Sequence, residues 1–153
     1  MSIVSSKRIA FWRSVLWYEL LFVALAFVQA SIAMRPFKDQ PSSSLSYDFY
    51  TDAFFASLIV SVGYILFLFL VLRIKPWLLQ LVSHLILVSL LWFWIDWGIF
   101  EDREAGWSTY TLEESFYAMV NHSLWVILIG CSLFLFGSQW ICKQNQSKGK
   151  SLS

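Results

Sequence analysis

The stretch VLWYELLFVALAFVQASIAM, Val15 to Met34, decides how the chain is built. As a secretory leader it would be removed, leaving three apolar segments. As a retained helix it is the first of four. VQA (Val28 to Ala30) and SIA (Ser31 to Ala33) both have the small-residue spacing of a cleavage site, and Leu20 to Val28 has the length of a leader's apolar core. Against this, the part before that core is long and apolar and holds Trp12, Trp17 and Glu19. Cleavage would also leave three helices with a new amino end outside. Retention is the expectation.

The rest of the chain agrees with a membrane setting. It has 153 residues, 58% hydrophobic and only 14% charged, with mean hydropathy +0.63. A soluble domain carries about 45–50% apolar and about 25% charged residues. The charges here lie in short patches between long apolar runs, with no basic stripe, which argues against a nucleic-acid partner. Cys131 and Cys142 share one run. On a helix they stand about 16 Å apart, too far for a disulfide.

A spanning helix needs about 20 mostly apolar residues. Four segments qualify, at about 9–34, 52–74, 76–100 and 112–142. The expected fold is therefore all-α: a polytopic, up-down bundle of four transmembrane helices forming one domain over 1–153. Residues 35–51 and 101–111 are its outer loops, and 143–153 a polar, mobile tail. The second and third helices meet at RIKPW, where Pro76 suits a first helical turn and pushes Lys75 out of helical geometry. Thr111 stands three residues before Glu114, a capping-box pattern, and Thr51 or Asp48 can cap the second helix.

Basic residues set the orientation. Lys7, Arg8 and Arg13 flank the first helix, Arg73 and Lys75 fill the short turn, and Lys143, Lys148 and Lys150 follow the fourth. The connection EDREAGWSTYTLEES is acidic. The positive-inside rule then places both termini in the cytoplasm of a cell (inner) membrane protein.

Ionisable groups inside a bilayer are costly and face the bundle interior. Counting 1.5 Å per residue from the basic anchors, Glu19, His84, Ser61 and Ser132 lie about 13–18 Å up, near mid-membrane. Gln29, Asp52, Asp96 and His122 lie about 31 Å up, with Asn121 beside His122. Ala26, Ala30 and Ala33 continue the side of the helix that carries Glu19, and small residues allow close helix approach. Glu19 is thus expected to point inward, with His84 as its partner. That pair is either a proton-linked site or a structural hydrogen bond. Two carboxylates and an imidazole, Asp52, Asp96 and His122, are the candidate metal ligands, although no tight motif supports an ion. The simpler reading makes Asp52 a first-turn acid and gives His122 a hydrogen bond to Asp96 or Asn121. A bis-His haem needs both rings at one depth, and His84 and His122 differ by about 15 Å. No cofactor is expected.

Trp92, Trp94, Trp97 and Trp125 crowd one end, as an interfacial belt or as the wall of an aromatic cup. Three functions compete. The first is an accessory, assembly or interaction subunit whose partners are the lipid bilayer and other membrane proteins or a second copy. The second is an oligomeric proton- or cation-coupled transporter or channel using Glu19. The third is a redox, lipid- or quinone-binding protein using the cup. No catalytic motif is present, and enzyme activity is not the favoured reading.

Overall fold

The computed structural model describes residues 3–42 and 48–150, with side chains for 11–42, 48–106 and 108–140. The described chain is all-α. Helix α1 runs Ile3–Ala33, α2 Phe49–Val71, α3 Trp77–Arg103 and α4 Leu112–Lys150. Short 3-10 turns follow α1 (Arg35–Phe37) and α3 (Ala105–Trp107). All four helices are long and apolar enough to cross a membrane. Both candidate cleavage positions fall inside α1, and Ala30 and Ala33 are buried there.

The helix ends differ from the sequence expectation for local reasons. α2 starts at Phe49, three residues earlier than expected, because Asp48 is its cap: the carboxylate accepts from the amides of Tyr50 (2.9 Å) and Thr51 (3.1 Å). That capping holds the exposed Asp48 carboxyl below its ordinary value, chiefly through the Thr51 hydroxyl. Pro76 sits just before α3 rather than in its first turn. Its backbone is extended (φ −66°, ψ 116°), and its carbonyl accepts the first helical bond from Gln80 at 2.9 Å. α3 runs on to Arg103, which is tied to the connection after α1. At α4 the capping box is formed: the Thr111 amide donates to Glu114 at 2.8 Å, and the Glu114 amide donates to the Thr111 hydroxyl at 3.3 Å. The tail expected to be mobile from 143 is helical as far as Lys150.

α1 packs on α2 and α4, and α3 packs on the same two. α1 and α3 also meet across the middle. There each helix contributes a fully buried aromatic: Phe22, Tyr64, Trp92 and Phe134. Phe22 lies flat on Tyr64, with centroids 4.3 Å apart and planes 7° apart. Phe134 meets Tyr64 and Trp92 edge-on, at 6.3 and 6.4 Å. Such ring pairs contribute about 0.5–1.5 kcal/mol each beyond the area they bury.

Small residues make room for these rings. A Cβ on Gly130 would lie 2.5 Å from the Trp92 ring, so α3 presses its largest side chain against bare α4 backbone. Ala26, Ala30 and Ala33 on α1 and Ala53, Ser57 and Ser61 on α2 are likewise small and buried, and small residues let helices approach closely. The outside is the reverse of a soluble protein's, with Ile59, Leu66, Leu90 and Phe136 each more than 60% exposed.

Candidate functional site

Two polar layers cross the interior. The first lies midway along the helices. His84 of α3 and Tyr64 of α2 share a hydrogen bond of 2.7 Å between His84 Nε2 and the phenol oxygen. Their rings are nearly parallel, 18° apart, while Tyr18 of α1 and Phe134 of α4 close on the imidazole at 5.6 and 5.1 Å. Glu19 is half-buried at the seam of α1 and α2, with its carboxyl beside the Ser61 hydroxyl and near Tyr64. The Ser61 hydroxyl also reaches the Leu58 carbonyl at 2.7 Å, and a hydroxyl has one proton to give. Glu19 Oε2 is buried without a partner.

The expected Glu19–His84 pair is therefore not made. Among the described residues no ion pair joins them, and His84 Nε2 is bonded to the Tyr64 phenol instead. The depth estimates brought both residues to one layer, but depth says nothing about rotation around the helix. Tyr64 was legible in the sequence as the next member of the Ala53, Ser57, Ser61 series, spaced four, four and three. Ser132 lies elsewhere: it is exposed, and its hydroxyl donates to the Leu128 carbonyl of its own helix at 3.0 Å.

The second layer lies toward the connection after α1. Gln29 of α1 donates from Nε2 to Asp96 Oδ2 of α3 at 2.6 Å, and Ser123 of α4 stands beside the same carboxyl. All three side chains are buried. Asp96 Oδ1, Gln29 Oε1 and Trp92 Nε1 are buried with no partner.

The remaining members of the expected cluster go elsewhere. Asp52 forms an ion pair with Arg103 of α3. The same guanidinium donates to the Gln40 carbonyl at 2.8 Å and lies 5.5 Å from the Phe49 ring centre. This clamp fixes the start of α2, the end of α3 and the connection between α1 and α2. The His122 ring packs against Phe37, with centroids 5.3 Å and planes 83° apart, instead of reaching Asp96, and Asn121 is exposed. Adjacent helix residues differ by about 100° in direction, so it is Ser123 that points inward. Among the described residues no group of three His, Cys, Asp or Glu side chains converges to hold a metal.

The four tryptophans do not form one cup. Trp92 is fully buried, Trp94 and Trp125 are each 70% exposed, and Trp97 lies between these extremes. Residues two apart on a helix face nearly opposite ways, so Trp92 and Trp94 cannot line one wall.

Arg103 was the functional side chain that sequence reasoning passed over. Its signal was available: a cation in the last turn of one helix, with Asp52 in the first turn of its neighbour. Comparisons with protein-family models, curated proteins and solved structures found no match.

Proposed function

We propose that the chain is a multi-pass protein of a cell membrane, its four helices running up and down with both termini in the cytoplasm. It acts as an accessory, assembly or interaction subunit, through a second membrane protein or a second copy of itself. The observation that carries this reading is the filled centre. One aromatic from each helix closes the middle of the bundle, and the deep polar groups bond to each other across it. What the protein offers to others is then its long apolar exterior and the half-buried Glu19 at the α1–α2 seam. An acid at that depth favours a neighbouring helix that supplies a donor.

Mass spectrometry of the gently solubilised complex tests this. A co-purifying membrane chain or a defined oligomer is the expected result. A monomer that retains no partner at any detergent strength would overturn it.

One observation favours a second reading, a proton-coupled transporter working as an oligomer. Glu19, Tyr64 and His84 form a polar string from the seam toward α3. On that reading Glu19→Gln abolishes proton-driven flux in proteoliposomes, and unchanged flux removes the mechanism.

A further inference from the structure

Glu19 is a polar group that the bundle leaves unanswered. It stands about 16 Å above the level of Arg8, close to the midpoint of a hydrocarbon core of about 30 Å. Its Oε2 is buried without a partner. The donors beside it are committed elsewhere. The Ser61 hydroxyl reaches the Leu58 carbonyl at 2.7 Å, and the Tyr64 phenol shares its 2.7 Å hydrogen bond with His84 Nε2. The side chain is only half-buried, so part of it is reachable from outside the bundle.

The surroundings are apolar. Leu16 and Leu20 of α1 and Leu58 and Val62 of α2 are all exposed, and each lies within one helical turn of Glu19 or of Ser61. The seam therefore presents a greasy face with one carboxyl set into it, which is a surface that a second helix can cover.

Depth and charge limit the occupant. A lipid headgroup is held at the interface, about 15 Å from the midpoint of the core. Residues 14–34, 49–72, 76–102 and 112–142 contain no Lys or Arg. A second copy of this chain thus offers no cation at this depth, and a two-fold pair through the seam would set carboxyl against carboxyl. A spanning helix of another protein can carry a cation at its midpoint. Each charge is costly alone in a bilayer, and pairing offsets the cost for both.

We propose that the α1–α2 seam docks a transmembrane helix of a different membrane protein, which sets one Lys or Arg side chain against Glu19. This rests on the interaction-subunit reading and names the chemistry of the partner. Polyleucine transmembrane peptides test it. The full chain in liposomes, with a donor dye at its amino terminus, is titrated with acceptor-labelled peptide and read by energy transfer. A peptide with one lysine at its midpoint is expected to bind about tenfold more tightly than its all-leucine counterpart. Moving that lysine two turns along the peptide, about 11 Å, removes the preference in wild type. Glu19→Gln loses most of it with an unchanged melting temperature. A photo-cross-linking residue at Leu20 or Val62 captures the lysine peptide, and one at Leu90 does not.

The lysine-position series needs wild type alone, so a variant that fails to fold still leaves the idea exposed. Equal binding of the lysine and leucine peptides by wild type, a preference kept by a folded Glu19→Gln, or self-association of the chain that depends on Glu19 would each overturn the proposal. A membrane chain that co-purifies equally with wild type and Glu19→Gln removes this site while the subunit reading stands. No co-purifying chain at all removes the subunit reading itself.

Discussion

Asp96 and Gln29 pose the sharpest question about single residues. The amide donates to one carboxyl oxygen at 2.6 Å, while the other carboxyl oxygen and the amide oxygen are both buried without partners. Leaving a buried polar group unpaired costs about 1–3 kcal/mol. In Asp96→Asn the new amide can accept from Gln29 Nε2 and also donate to Gln29 Oε1, closing both vacancies. Thermal unfolding in detergent is expected to show this variant at least as stable as wild type. Asp96→Leu strands Gln29 and should lose about 1–3 kcal/mol. If both variants fall equally, the carboxylate itself is required and the pairing account is wrong. Asp48 makes a different, exposed test. Its capping bonds hold the carboxyl below the ordinary 3.8. A depressed folded value means that the cap contributes above the unfolded value and is lost as pH falls through the folded one. The amide signals of Tyr50 and Thr51 should therefore titrate with a midpoint below 3.8, and Asp48→Ala should abolish that titration.

For whole helices, the decisive contact is Trp92 against Gly130. A β-branched side chain there must displace an indole packed by Phe22 and Phe134. Gly130→Val is expected to destabilise by about 1–3 kcal/mol, the usual cost of overpacking. Gly63→Ala, where a Cβ meets nothing within 4 Å, should be neutral or slightly stabilising by helix propensity. Equal losses at both positions would show that glycine itself, not the Trp92 contact, matters. This contact also shows what the sequence could and could not reveal. Helix extents were legible, because a bilayer demands continuous apolar runs and leaves caps such as Thr111–Glu114 at their ends. Helix rotation was not, because lipid and core are both apolar and the 3.6-residue pattern of a soluble helix fades. Only small and polar residues then mark the inward face. Those markers placed Ala26 and Ala30 correctly as helix-contact positions, and the levels of Gln29 and Asp96 coincide in the structure. They could not tell His122 from Ser123, or show that Trp92 turns in while Trp94 turns out.

At the scale of the whole molecule, α1 is indispensable to the bundle. It supplies Phe22, Ala26, Gln29 and Ala30 to the buried interior. Cleavage after Ala30 or Ala33 would strip Phe22 from Tyr64 and Gln29 from Asp96, leaving a fully buried carboxyl without its amide. Intact-mass measurement of the purified protein should therefore retain the α1 residues, and a chain starting at Ser31 or Met34 would refute this. The same bundle fixes which connections share an end. The clamp of Arg103 on Asp52 and Gln40 gathers the connections after α1 and α3 at one end, and the Arg73–Lys75 turn lies between α2 and α3 at the other. Positive residues are retained in the cytoplasm during insertion, so the proposed orientation predicts the turn with Arg73 and Lys75 on the inside. Single cysteines at Asp39, Ser108 and Lys75, in a chain with Cys131→Ala and Cys142→Ser, turn this into a labelling experiment. A membrane-impermeant maleimide on intact cells should modify the first two positions and reach the third only after lysis. Labelling of Lys75→Cys from outside would invert the molecule. Opposite results at Asp39→Cys and Ser108→Cys would break the shared end on which the clamp depends.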